Sequence, residues 1–196
     1  YADDNGLTVT EYTTANDTAD DYMVAVQEAA KDGASVVIGY GEEFEEPLFT
    51  MQKKYKKIKF LILDGAPRKE AGKKAKVRKN TRAVVYDEVQ SGFLAGYAAV
   101  MDGYRSLGFL GGQKQKNVMY YGSGFVQGAE YAASQLKLKE NEVTVRYDYL
   151  ETNEISPSVM ARAGQWYEDG CELIFAAGGA IPTAVIKAAE ATGGKV

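Results

Sequence analysis

At 196 residues, with 45% hydrophobic and 26% charged side chains, the chain can form one large domain or two small lobes, and its core needs no staples. A formal net charge of −4 gives no general attraction to nucleic acid or to an anionic membrane. The lack of histidine removes the commonest general base and metal ligand, and the single cysteine, Cys171, excludes an internal disulfide or a zinc cluster.

No apolar run approaches the roughly 18–20 residues of a membrane-spanning helix. The first five residues are polar, with neither a signal peptide nor a lipid-attachment cysteine among them. In chain order, residues 7–13 are β-branched and alternating, which predicts a strand. Asn16, Asp17 and Thr18 offer caps for a helix carrying Met23, Val26 and Ala30, with Gly33 as its stop. Residues 35–40 predict a buried parallel strand, Pro47 the start of a second helix, and residues 59–63 the next strand, which ends on Asp64 and Gly65.

A basic loop leads to a strand at 82–86 and a helix at 87–101. Then follow a strand at 106–110, a helix at 117–136 interrupted by Gly122 and Gly124, and a strand at 143–150. A helix at 157–169, a strand at 172–177 and a helix at 182–192 complete the series. This alternation predicts an α/β fold with parallel sheets flanked by helices. The first residues read as a strand and the last, Val196, as the start of another, so an internal fragment is expected.

In open parallel sheets ligands bind beyond the carboxyl ends of the strands. That rule selects Tyr40 with Gly41, Asp64 with Gly65, Gly111 with Gly112, residues 150–152, and Gly178 with Gly179. A carboxylate at Asp64 can accept two hydrogen bonds, which suits a vicinal diol such as ribose; capping of the turn at Gly65 is the plainer reading. Gly178 and Gly179 either let a ligand approach the amides of a helix N-terminus or simply make a tight turn. Gly111 and Gly112 read as such a turn, since no dinucleotide fingerprint or Walker motif is present.

Residues 68–79 hold seven bases and one acid without interleaved aromatics, and read as a solvated loop rather than a nucleic-acid contact. The pairs Glu42–Glu43 and Glu45–Glu46 read as an acidic loop. Ser123 fails the nucleophile-elbow pattern. No catalytic constellation, metal site or cofactor motif is found, and an α/β enzyme is the least supported class.

Several ordered motifs are more specific. They are Glu88 through Phe93-Leu94-Ala95-Gly96 to Ala98-Ala99, then Leu107-Gly108-Phe109-Leu110-Gly111-Gly112, then Gly124-Phe125 with Gly128. Trp166-Tyr167, Gly170, Glu172-Leu173-Ile174-Phe175 and Gly178-Gly179 complete the run. Together they resemble the basic membrane protein (BMP, or PnrA-like) family of solute-binding lipoproteins over nearly the whole chain.

The resemblance implies a type I periplasmic-binding-protein-like fold of two Rossmann-like lobes, here residues 1–86 and 87–196, each partial, with the N- and C-terminal strands missing. It implies an extracytoplasmic, lipid-anchored component of an ABC importer that delivers a small molecule, usually a purine nucleoside, to a permease from a cleft between lobes. The family's ribose-binding aspartate falls on Asp64 and its binding-loop glycine on Gly178 or Gly179. Where the family stacks a phenylalanine on the base, this chain has Asn153. Either the ligand differs, or a nearby tyrosine takes the role, or the alignment slips there. Ligand-binding candidates are therefore Asp64, Gly178, Gly179, Asn153 and Gly41. The alternative reading is a ligand-sensing receptor or regulator domain on the same fold.

Overall fold

A computed structural model describes residues 2–16 and 18–196. The chain forms two compact units, one reaching to Tyr86 and one running from Asp87 to Val196.

In the first unit, α1 (Ala19–Lys31) starts at Thr18. The Thr18 hydroxyl accepts from the Asp21 amide at 3.2 Å, and the Asp21 carboxylate accepts in return from the Thr18 amide. This reciprocal box satisfies two amides that a helix start otherwise leaves unpaired. Of the expected caps, Thr18 serves, Asn16 does not, and Asp17 lies outside the described residues. Next come β1 (Val36–Tyr40), α2 (Glu45–Lys54), β2 (Lys59–Leu63) and β3 (Thr81–Val84). The strands form a parallel sheet in the order β1-β2-β3. Val26 of α1 and Leu48 and Met51 of α2 pack with Phe60 and Ile62 into one core cluster.

Three expectations are corrected in this unit. Residues 7–13 form no strand, and Leu7 and Val9 are exposed. An extended segment must pair its amides and carbonyls with a neighbour, and none of the described strands lies alongside it. Pro47 does not open α2 but sits in its first turn, where its missing N–H has no carbonyl to serve. Glu45 and Glu46 belong to that same turn rather than to an acidic loop, and Glu45 is buried.

The second unit holds α3 (Glu88–Met101), β4 (Ser106–Gly111), α4 (Lys116–Gln135), β5 (Thr144–Tyr149), α5 (Pro157–Glu168), β6 (Leu173–Ala177) and α6 (Ile181–Thr192). Its parallel sheet runs β5-β4-β6, and Lys195 bridges to Leu173 beside β6. Alternation along β4 splits its side chains between two layers. Leu107 and Phe109 pack with α3 and α4, through Val100, Phe125 and Ala129. Leu110 packs with α5 and α6, through Trp166, Ile181 and Val185.

The α4 helix is continuous, so the predicted interruption is absent. Its glycines are there for contact. A Cβ at Gly122 would lie 2.7 Å from the Phe109 ring, and one at Gly124 2.2 Å from the Val89 carbonyl of α3. In the reverse sense, a Cβ at Gly96 of α3 would stand 2.0 Å from the Phe125 carbonyl. The two helices therefore meet backbone to backbone, and the Gly-containing motifs of both helices are the contact points.

Candidate functional site

The carboxyl end of the first sheet carries the titratable cluster. Gly41 follows β1 at φ 89°, and its amide donates to the Leu63 carbonyl at 2.9 Å, extending the β1–β2 ladder by one residue. Asp64 follows β2 at φ 58°, a left-handed conformation that aspartate tolerates better than most side chains. Its half-buried carboxylate lies beside the hydroxyl of Tyr40, which ends β1 in register with Leu63. The neighbouring Asp64 charge, with partial burial, raises the Tyr40 pKa above its ordinary value, and Tyr86 and Glu43 add smaller effects in the same direction. Tyr40, Glu43, Asp64 and Tyr86 thus face a common space, and Tyr40 and Tyr86 are both largely exposed.

The loop behind Asp64 is braced from α2. The buried Glu45 carboxylate accepts from the Ala66 amide at 2.8 Å and pairs with the Arg68 guanidinium at 2.6 Å. A Cβ on Gly65 would meet the Gly41 carbonyl at 3.2 Å, so the two rim loops pack directly on each other.

The carboxyl end of the second sheet is arranged differently. Asn153 laces its loops: the side-chain carbonyl accepts from the Gln113 amide at 3.0 Å, and the side-chain amide donates to the Gln113 Oε1 at 3.2 Å. The Asn153 backbone carbonyl takes the Ala180 amide at 2.8 Å. Gly178 and Gly179 lie at φ 108° and 47°, where a Cβ would sit 2.9 Å from the Gly112 nitrogen and 2.6 Å from the Asn153 Cβ respectively. These glycines are required by the loop packing itself. Of the amides at the start of α6, Ala180 is spent on Asn153, Ile181 donates to the Gly178 carbonyl at 3.1 Å, and Pro182 has none.

Sequence reasoning placed Asp64 and Gly41 at one rim, and Asn153, Gly178 and Gly179 at the other. It selected Tyr40 together with Gly41 without giving it a role, and it missed Tyr86 and Glu45. Tyr40 had a readable signal, as the last residue of a strand on the rim that the sheet rule selects. Among the described residues no cluster of His, Cys, Asp and Glu could hold a metal ion. No helix there is long and apolar enough to cross a membrane. Burial raises the Cys171 thiol to about 11, so it stays protonated at neutral pH.

Two units, each a parallel sheet flanked by helices, define an α/β fold whose strand ends are the expected place for a ligand. The family profile described as "ABC transporter substrate-binding protein PnrA-like" matches residues 1–196, and the chain belongs to that family. Basic membrane protein D of Borreliella burgdorferi (strain JD1) is 25% identical over 90% of this chain and 48% of its own length. The ABC transporter nucleoside-binding protein BmpA of Lactococcus lactis subsp. cremoris (strain MG1363) is 24% identical over 90% of this chain and 46% of its own. The chain spans about half the length of these curated relatives.

Among solved structures, an ABC transporter solute-binding protein from Conexibacter woesei DSM 14684 superposes with a TM-score of 0.73 at 19% identity, covering 97% of this chain and 59% of that one. A transcriptional activator of the comK gene from Bacillus halodurans gives 0.67 at 16% identity, covering 91% and 57%. The periplasmic-binding-protein-like fold is thereby shown.

Proposed function

We propose that this chain is part of the extracytoplasmic solute-binding component of an ABC importer, and that its ligand is a nucleoside or a similar small molecule passed on to a membrane permease. The Asp64 carboxylate accepts hydrogen bonds from the vicinal hydroxyls of the ligand sugar. Tyr40 and Tyr86 supply amphipathic ring surface beside it. Gly41, Asn153, Gly178 and Gly179 shape the remaining rims, and we assign Asn153 to ordering its loop rather than stacking on a base. The protein binds its ligand without converting it.

The observation that carries this reading is the half-exposed Asp64 at the end of β2, beside Tyr40 and on a loop that Glu45 braces. Support also comes from family membership and from the printed name of the Lactococcus relative, which is nucleoside-binding. A thermal-shift series of purine and pyrimidine nucleosides against the protein in its full natural length is the test. At least one nucleoside raises the melting temperature; a flat response to all of them removes the nucleoside assignment.

A further inference from the structure

The net charge of −4 hides a strong division of charge along the chain. Residues 53–82 carry thirteen lysines and arginines against two acids, Asp64 and Glu70, a net +11. The remaining sequence carries ten bases against twenty-five acids, a net −15. More than half of the chain's positive charge thus falls in thirty consecutive residues of the first unit.

The fold gathers these residues rather than dispersing them. Gln52, buried on α2, donates to the Lys76 carbonyl at 2.8 Å and accepts from the Arg78 amide at 3.0 Å. The Asn80 side-chain amide reaches the carbonyls of Gln52, Tyr55 and Ile58 at 3.1–3.2 Å. Those clamps lay the 76–80 strand approach alongside the turn that holds Lys53, Lys54, Lys56 and Lys57. The Lys76 amide closes the preceding loop by donating to the Pro67 carbonyl at 2.7 Å, so Lys69, Lys73 and Lys74 project from a fastened base.

Ten lysines of this band and Arg82 are exposed, and none of the eleven forms an ion pair with a carboxylate among the described residues. Lys53 instead sits over the Phe49 ring at 3.9 Å, and Lys54 donates to Gln27. Arg68 is neutralised by Glu45. Like charges held this close repel one another, so uncompensated positive charge on an ordered surface is relieved by an anionic partner.

We propose that this basic band is an electrostatic docking surface for a bilayer rich in anionic phospholipid. The composition favours lipid over nucleic acid. Apart from Arg82, its exposed charges are point-like ammonium groups rather than the forked guanidinium that grips single phosphates bidentately. Of its two aromatic side chains, Phe60 is buried in the core and Tyr55 stands alone, so bases have no stacking platform. Lysine clusters suit a diffuse anionic surface, and an ABC transporter substrate-binding family works beside a membrane. Lys59, at the amino end of β2, lies about 16 Å from Asp64 at the rise of an extended strand, so that end of the band is remote from the ligand rim.

The test is flotation of the protein with vesicles of phosphatidylcholine alone and of phosphatidylcholine with about 30% phosphatidylglycerol, at about 0.01 M and about 1 M salt, which shrinks the Debye length from ~30 Å to ~3 Å. The protein floats with the anionic vesicles at low salt and is released at high salt. Replacing Lys53, Lys56, Lys57, Lys73 and Lys74 with glutamine lowers partitioning by more than about a hundredfold. Arginine at the same five positions retains it. A Lys139→Gln/Lys187→Gln control in the second unit behaves as wild type, and circular dichroism checks that all variants are folded. Equal flotation with neutral vesicles, or undiminished flotation of the glutamine variant, overturns the proposal. So does capture by duplex DNA without capture by anionic vesicles. Nucleoside thermal shifts on the same samples report the ligand site separately.

Discussion

Tyr40 and Asp64 are neighbours across the β1–β2 rim: Tyr40 stands in register with Leu63, the residue before Asp64, and the Asp64 charge bears on the Tyr40 hydroxyl. The negative charge disfavours tyrosinate, so Tyr40 titrates above its ordinary value of 10.0. Asp64→Asn removes the charge, and the Tyr40 titration moves down toward that value. Tyrosinate absorbance in an alkaline titration, compared with a Tyr40→Phe variant to isolate the signal, checks this. An unchanged Tyr40 titration in Asp64→Asn contradicts this proximity.

Gly96 and Gly164 predict opposite signs for the same substitution. Replacing an interior helical glycine with alanine ordinarily stabilises by about 0.5–1 kcal/mol. Gly164 on α5 has open space around it, so Gly164→Ala gains stability of that order. At Gly96 the new methyl would meet the Phe125 backbone, and α3 and α4 must separate. Gly96→Ala therefore loses about 1–3 kcal/mol through overpacking. Urea denaturation of the two variants reads the difference.

Glu45→Ala leaves the Ala66 amide and the Arg68 guanidinium without their buried partner. Breaking such a pair costs about 3 kcal/mol. Ligand affinity falls as well, because the loop carrying Asp64 loses its brace. Chemical denaturation and ligand titration of the same variant separate the two effects.

Glu172 gives the acid dependence a definite sign. Its carboxylate accepts from the Ser106 amide at 2.8 Å and the Arg105 amide at 2.7 Å, and these bonds lower its pKa. A depressed folded-state pKa stabilises above the unfolded value of about 4.3 and ceases to do so as pH falls through the folded value. Glu172→Gln is less stable than wild type at pH 7, by under about 1 kcal/mol because the group is largely solvated. The gap closes as the medium is acidified below pH ~4, which a series of thermal melts measures.

Much of this architecture was legible in the sequence because alternating apolar runs and glycine stops encode it locally. The strand at residues 59–63 and the helix from 88 to 101 fall where periodicity put them. What escaped depends on partners distant in sequence. Residues 7–13 have the composition of a strand but lack a neighbour to pair with among the described strands. Glu45 looked like one acid of a solvated run until the loop carrying Ala66 and Arg68 folded over it. Gly122 and Gly124 read as helix breaks, whereas they are close-approach points against Phe109 and Val89. Asp64 could be chosen from the strand-end rule; its placement beside Tyr40 required both strands to be in register.

Calorimetric titration of a ribonucleoside and its 2′,3′-dideoxy counterpart into the full-length protein and its Asp64→Asn variant tests the central claim most directly. The account predicts that the wild type prefers the ribonucleoside by about tenfold or more, equivalent to one charge-assisted hydrogen bond. Asp64→Asn removes that preference. Equal affinity for the two ligands in the wild type, or a preference that survives Asp64→Asn, would contradict it.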